Sequence, residues 1–120
     1  LKLIVKAINL SGFKNGKDIV ICLDVAANEL LKNKKYSIHS KKYTSVDESI
    51  ENYLRLVQKY KIMSIEDPFG ENDWSAWTKL LNKTKNKLQI VGDDLFVTNL
   101  ERLKIGFLNS VFGYWLVLYC

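Results

Sequence analysis

Apolar positions along this 120-residue chain follow two kinds of pattern. Three are short continuous runs, and each ends in a carboxylate. Ile19-Val20-Ile21-Cys22-Leu23 runs into Asp24, Ile62-Met63-Ser64-Ile65 into Glu66, and Leu88-Gln89-Ile90-Val91-Gly92 into Asp93. Such runs are what strands buried on both faces of a parallel sheet look like. The other pattern repeats at helical spacing. Leu1, Ile4, Val5 and Ile8 share one face of a helix predicted over residues 1–10, with Gly12 placed to stop it through a left-handed cap. Ser45-Val46-Asp47-Glu48 matches a capping box, opening a helix that carries Ile50, Tyr53, Leu54 and Val57 up to about Tyr60. Residues 73–81 predict a short helix whose Trp74, Trp77, Leu80 and Leu81 read as core packing. Thr98 or Asn99 caps a further helix with Leu100, Leu103 and Phe107 on its inner face.

The first strand is expected over residues 18–23, and the small Val25-Ala26-Ala27 beside Asp24 leaves room for a ligand or a close backbone. Residues 30–43 lack a helical period and read as a lysine-dotted excursion, with a short extended piece at Tyr36-Ser37-Ile38. A final strand is expected within residues 111–118. Helices and strands thus alternate, which predicts an α/β fold of parallel strands joined by right-handed crossovers. The interval from Glu66 to Asp93 fits one minimal βα unit with its loops; that from Asp24 to Glu66 is longer by the excursion.

Acids at the C-terminal ends of such strands sit where α/β folds place their active sites. Neighbouring parallel strands lie about 4.8 Å apart, so three strand-end carboxylates can converge. Like charges that close repel, and a divalent cation removes the penalty. Oxygen-only ligands favour Mg²⁺, and no Cys/His cluster points to zinc. The plainer alternative, in which each acid caps a helix or pairs with a lysine, suits one acid better than three.

Composition narrows the rest. The net charge of +5 is spread along the chain, and Lys32, Lys34, Lys35, Lys41 and Lys42 form the only basic cluster. It reads as a solvated loop, since no nucleic-acid-binding motif accompanies it. The lone His39 falls in the same loop and is given no role. Two cysteines make no disulfide framework, and Cys22 is expected to be a small buried hydrophobe. No signal peptide or bilayer-length apolar run is seen, so the expected compartment is the cytoplasm. Both ends read as cut, because the chain opens on Leu1 inside a helical pattern and closes on an apolar run.

Several motifs in order resemble the enolase family, the phosphopyruvate hydratases of glycolysis. They are Ser64-Ile65-Glu66-Asp67-Pro68-Phe69, then Asp73-Trp74 with Trp77, then Val91-Gly92-Asp93-Asp94-Leu95-Phe96-Val97-Thr98-Asn99. Lys17-Asp18-Ile19-Val20-Ile21 and Leu23-Asp24-Val25-Ala26-Ala27-Asn28-Glu29 are similar to the preceding strand and loop. The resemblance implies a partial (β/α) TIM-type barrel over residues 1–110, incomplete at both ends, followed by a divergent apolar tail at 111–120. It implies Asp24, Glu66 and Asp93 as Mg²⁺ ligands, with Glu66 and Asp93 also near the substrate. The implied reaction takes 2-phosphoglycerate to phosphoenolpyruvate by removing the proton alpha to the carboxylate and expelling hydroxide, with one or two Mg²⁺. The family is usually homodimeric, with no nucleic-acid or membrane partner.

The resemblance weakens after Arg102-Leu103-Lys104. A strand delivering a lysine base is expected next, yet Phe112-Gly113-Tyr114-Trp115-Leu116-Val117-Leu118-Tyr119-Cys120 holds no lysine, and the family's acid falls before Leu1. The expectation is therefore a metal-binding fragment that is inactive alone. The alternative is a non-catalytic remnant or an assembly module that engages a partner through the basic loop or the apolar tail.

Overall fold

The computed structural model describes residues 1–37, 43–85 and 87–109, together with the backbone of 116–117. His39, Lys41 and Lys42, and most of the apolar tail, lie outside the described residues.

Helix α1 (Lys2–Leu10) ends at Ser11, and Gly12 takes a φ of +83°, the left-handed stop expected from sequence. Ile8 is buried and Leu1 and Val5 pack beside the core, while Ile4 is half exposed. Strand β1 (Ile21–Asp24) starts two residues later than its apolar run and three later than the expected start at residue 18. Residues 14–19 are taken up by a turn in which the Lys14 N–H donates to Asp18 Oδ2 at 2.8 Å and the Gly16 N–H to the Ile19 carbonyl at 2.7 Å. A 3₁₀ turn (Ala27–Leu30) follows, and the excursion then closes into a hairpin of β2 (Leu31–Lys32) and β3 (Lys35–Tyr36). Asn33 and Lys34 between them both have positive φ, 50° and 59°, the combination that matches the twist of a two-residue hairpin. The extended piece is thus shifted: Ser37 lies outside the strand and Ile38 outside the described residues.

The capping box forms at the start of α2 (Val46–Tyr60). Ser45 Oγ accepts from the Glu48 N–H at 3.2 Å, and Glu48 Oε2 accepts from the Ser45 N–H at 2.8 Å. After α2 come β4 (Ile62–Glu66), α3 (Trp74–Thr84), β5 (Gln89–Val91), the short α4 (Asp93–Phe96), α5 (Leu100–Leu108) and β6 (Leu116–Val117). Asp73 caps α3 and Asn99 caps α5, the latter accepting from the Glu101 and Arg102 N–H groups.

All pairings in the main sheet are parallel, in the order β1-β4-β5-β6. The sheet is open among the described residues, part of a barrel rather than a closed one. Its core gathers Ile65, Ile90, Ile50, Tyr53, Trp77 and Leu80, each at most 2% exposed. Burial on both sheet faces, expected from the apolar runs, holds at Ser64-Ile65 of β4 and Ile90-Val91 of β5 but not along β1. Cys22 is exposed, not buried. It alternates with Leu23 and so shares a sheet face with Asp24, a face on which no described helix covers it. Met63, beside the register shift between Ile21 and Cys22, is 53% exposed.

Helix α5 also departs from expectation. Leu103 packs on the core, but Leu100 and Phe107 are 66% and 70% exposed. Besides Leu103, Arg102 anchors this helix through polar contacts. Its guanidinium donates to the Leu95 and Glu71 carbonyls and, at 3.1 Å, to Asn72 Oδ1, and lies 5.2 Å from the Trp74 ring centroid.

Candidate metal centre

Strand register sets the site. Asp24 is the last residue of β1 and Glu66 the last of β4, and the two are direct partners across the parallel pair. Glu66 is in turn paired with Val91, the last residue of β5, and Asp93 follows two residues later as the first residue of α4. Strand ends in register therefore deliver acids to one end of the sheet.

The loop after β4 is held from several sides. The Tyr53 hydroxyl donates to the Pro68 carbonyl at 2.8 Å, and the Trp77 indole N–H to the Gly70 carbonyl at 3.1 Å. The Tyr36 hydroxyl donates to Asp73 Oδ2 at 2.9 Å and accepts from the Gly70 N–H at 3.0 Å. Phe69 is wholly buried, edge-on to Tyr36 and Tyr53 at centroid distances of 5.3 and 5.7 Å. A loop pinned this way gives the acids before it a fixed base.

One carboxylate oxygen each from Asp24, Glu66 and Asp67 forms a set lying within 4.8 Å of one another. Two of these are acids singled out from the sequence. Asp93 is not in that set, though its charge acts on Glu66. Burial raises the Glu66 pKa, and the charges of Asp24, Asp93 and Asp94 raise it further. Asp67, only 4% exposed, is pushed up to about 6, chiefly by burial and further by the charges of Asp94, Glu66 and Asp24, against the lowering effect of the Asp94 N–H. Asp67 Oδ1 is buried with no hydrogen-bond partner among the described residues. Asp24 is exposed, and its Oδ1 accepts from the Ala26 N–H at 3.0 Å, where Ala26 has a left-handed φ of 46°.

The donor set suits a hard cation. All three groups are carboxylates, their mutual repulsion is the penalty a cation cancels, and a buried oxygen is left without a donor. Sequence reasoning passed over two participants. In the sequence Asp67 stands only within Ser64-Ile65-Glu66-Asp67-Pro68-Phe69, and its contacts are with residues distant in sequence. Asn28 was read only as part of the loop after β1, but its amide donates to Asp94 Oδ2 at 3.0 Å and accepts from the Glu71 N–H at 2.9 Å, joining that loop to the other two.

The model of the enolase C-terminal TIM barrel domain family matches residues 1–117. The chain belongs to this family. It is 72% identical over 110 residues to the enolase of Pelagibacter ubique (strain HTCC1062), a match covering 92% of this chain and 26% of that protein. The chain therefore spans about a quarter of the length of the curated enolase it matches. The enolase match extends through the position of β6, whose Leu116 and Val117 pair with Ile90 and Val91 of β5. Among the described residues, no helix is long and apolar enough to cross a membrane.

Proposed function

We propose that Asp24, Glu66 and Asp93 hold Mg²⁺, and that this chain carries the cation-binding part of an enolase site. The reaction served is the dehydration of 2-phosphoglycerate to phosphoenolpyruvate, in cytoplasmic glycolysis. The observation that carries this reading is the in-register pairing of Asp24 with Glu66, whose carboxylate oxygens lie within 4.8 Å of each other; Asp93, outside that set, starts α4 two residues past Val91, the β5 partner of Glu66. Burial raises the Glu66 pKa and the charges of Asp24, Asp93 and Asp94 raise it further; a bound cation would offset both.

When bound, the cation stabilises negative charge that develops as the substrate loses its alpha proton. The chain's own contribution is placement. Strand ends fix Asp24 and Glu66, and Glu66 and Asp93 border the substrate. No residue of this chain is assigned as the general acid or base. Each such group contributes about 10²–10⁴-fold, so the 120-residue chain by itself is proposed to be inactive.

Two measurements test this. Thermal unfolding of the purified chain is expected to shift upward with Mg²⁺, and the shift to vanish in Glu66→Gln. Following phosphoenolpyruvate by absorbance, the chain alone is expected to give no turnover. A wild-type chain indifferent to Mg²⁺ would remove the cation reading, and robust turnover would remove the assignment of the proton-transfer groups elsewhere.

A further inference from the structure

Three segments of chain meet at Asp67, and it bonds to each of them. Its N–H donates to the Val91 carbonyl at the end of β5, at 3.0 Å. Its carbonyl accepts from the Ala27 N–H, in the turn after β1, at 3.1 Å. Its Oδ2 accepts from the Asp94 N–H, in α4, at 3.2 Å. To do this it adopts a left-handed φ of 42°, which a non-glycine residue takes up only at a cost. The residue is only 4% exposed, yet Oδ1 has no hydrogen-bond partner among the described residues. A half-satisfied buried carboxylate is unfavourable for packing alone.

The connectivity matters more than the number of bonds. Asp67 follows Glu66 in the chain and Asp94 follows Asp93, so the bond between them ties together the immediate neighbours of two proposed ligands. Setting its length sets how closely Asp93 can approach Glu66. We propose that Asp67 is the positioning residue of the cation site, holding the start of α4 so that Asp93 meets Glu66 across the ends of β4 and β5. This rests on the cation reading above.

The test compares the wild-type chain with Glu66→Gln, Asp67→Ala and Asp67→Asn. Mg²⁺ affinity is read from the dependence of thermal unfolding on Mg²⁺ concentration, and amide hydrogen exchange at Asp94 is read without metal. Asp67→Ala is expected to weaken Mg²⁺ about 10–100-fold, as loss of groups that orient metal ligands does, and to speed exchange at Asp94. Asp67→Asn, whose side-chain oxygen still accepts from the Asp94 N–H, is expected to restore most of the affinity and the slow exchange. Wild-type affinity in Asp67→Ala, with the Glu66→Gln variant still blind to Mg²⁺, would overturn this inference and leave the cation reading standing. Asp67→Asn binding as poorly as Asp67→Ala would also overturn it, since Asp67 would then act through its charge. No Mg²⁺ response in the wild-type chain overturns both. Should Asp67→Ala fail to fold, Asp67→Asn decides: near-native affinity supports positioning, and a loss of tenfold or more overturns it.

Discussion

Asp24 and Glu66 face each other as the last residues of two neighbouring parallel strands, paired in register. Two carboxylates so placed repel, and the metal-free chain holds that repulsion as part of its folding free energy. Asp24→Asn is therefore expected to leave the chain as stable as the wild type, or slightly more so, in chelator. In Mg²⁺ the order reverses. A ligand at a hundred times its Kd adds about 2.7 kcal/mol to the folded state, and the variant forgoes most of that. Melting curves with chelator and with saturating Mg²⁺ check both halves. Equal Mg²⁺ shifts in the two proteins would count against a shared ion.

Tyr36 and Tyr53 predict how the chain responds to alkali. Both are at most 1% exposed. Burial raises both above the ordinary 10.0, with Asp73 contributing at Tyr36 and Tyr36 itself at Tyr53. A raised folded-state value means the native chain keeps protons that the unfolded chain releases. Stability is complete below pH 10 and falls as pH rises above it, by about 1.4 kcal/mol per pH unit for each tyrosine. Tyr53→Phe should halve this slope. It should also cost about 1–3 kcal/mol at neutral pH, because the buried Pro68 carbonyl loses its donor. Urea titrations at pH 8, 10 and 11 measure both effects, and an unchanged slope would show that Tyr53 ionises freely in the native chain.

Ser45 offers a smaller and cleaner test. Its hydroxyl accepts from the Glu48 N–H, and its own N–H donates to the Glu48 carboxylate. Ser45→Ala removes the first bond and is expected to cost about 1 kcal/mol, read as a lower urea midpoint with unchanged slope. Ser45→Asp, which can still cap, should recover most of it.

What could be read from the chain depended on how local the determining contacts are. The Ser45 box involves residues three apart and was legible as a four-letter motif. The Asp24–Glu66 pairing was legible because alternating helices and strands bring successive strands side by side, which places their ends together. Cys22 was misjudged because an apolar run shows that a strand is apolar without showing which of its faces another layer covers. The inward stripe assigned to Leu100 and Phe107 failed for a related reason. Periodicity gives the spacing of a face, but it does not show the polar anchoring of α5 through Arg102. Asp67 was hidden most completely. Its importance comes from Ala27, Val91 and Asp94, none of them close in sequence, and from a backbone angle that the Asp-Pro pair does not announce.

Arg102 supplies the last prediction. Its guanidinium serves two backbone carbonyls, Leu95 and Glu71, and the Asn72 side chain while lying over the Trp74 ring. A planar fork with several fixed donors can do this, whereas a lysine ammonium on a flexible stem cannot satisfy the same set. Arg102→Lys keeps the charge and is still expected to cost about 1–3 kcal/mol, since at least one part-buried carbonyl loses its donor. The loss should be greatest at α5, the helix that carries Arg102 and whose first residue, Leu100, is 66% exposed. Limited trypsin digestion is expected to cut after Lys104 faster in Arg102→Lys than in the wild type. If cleavage there and the urea midpoint both stay put, Leu103 and the short link from α4 hold the helix without help from the guanidinium.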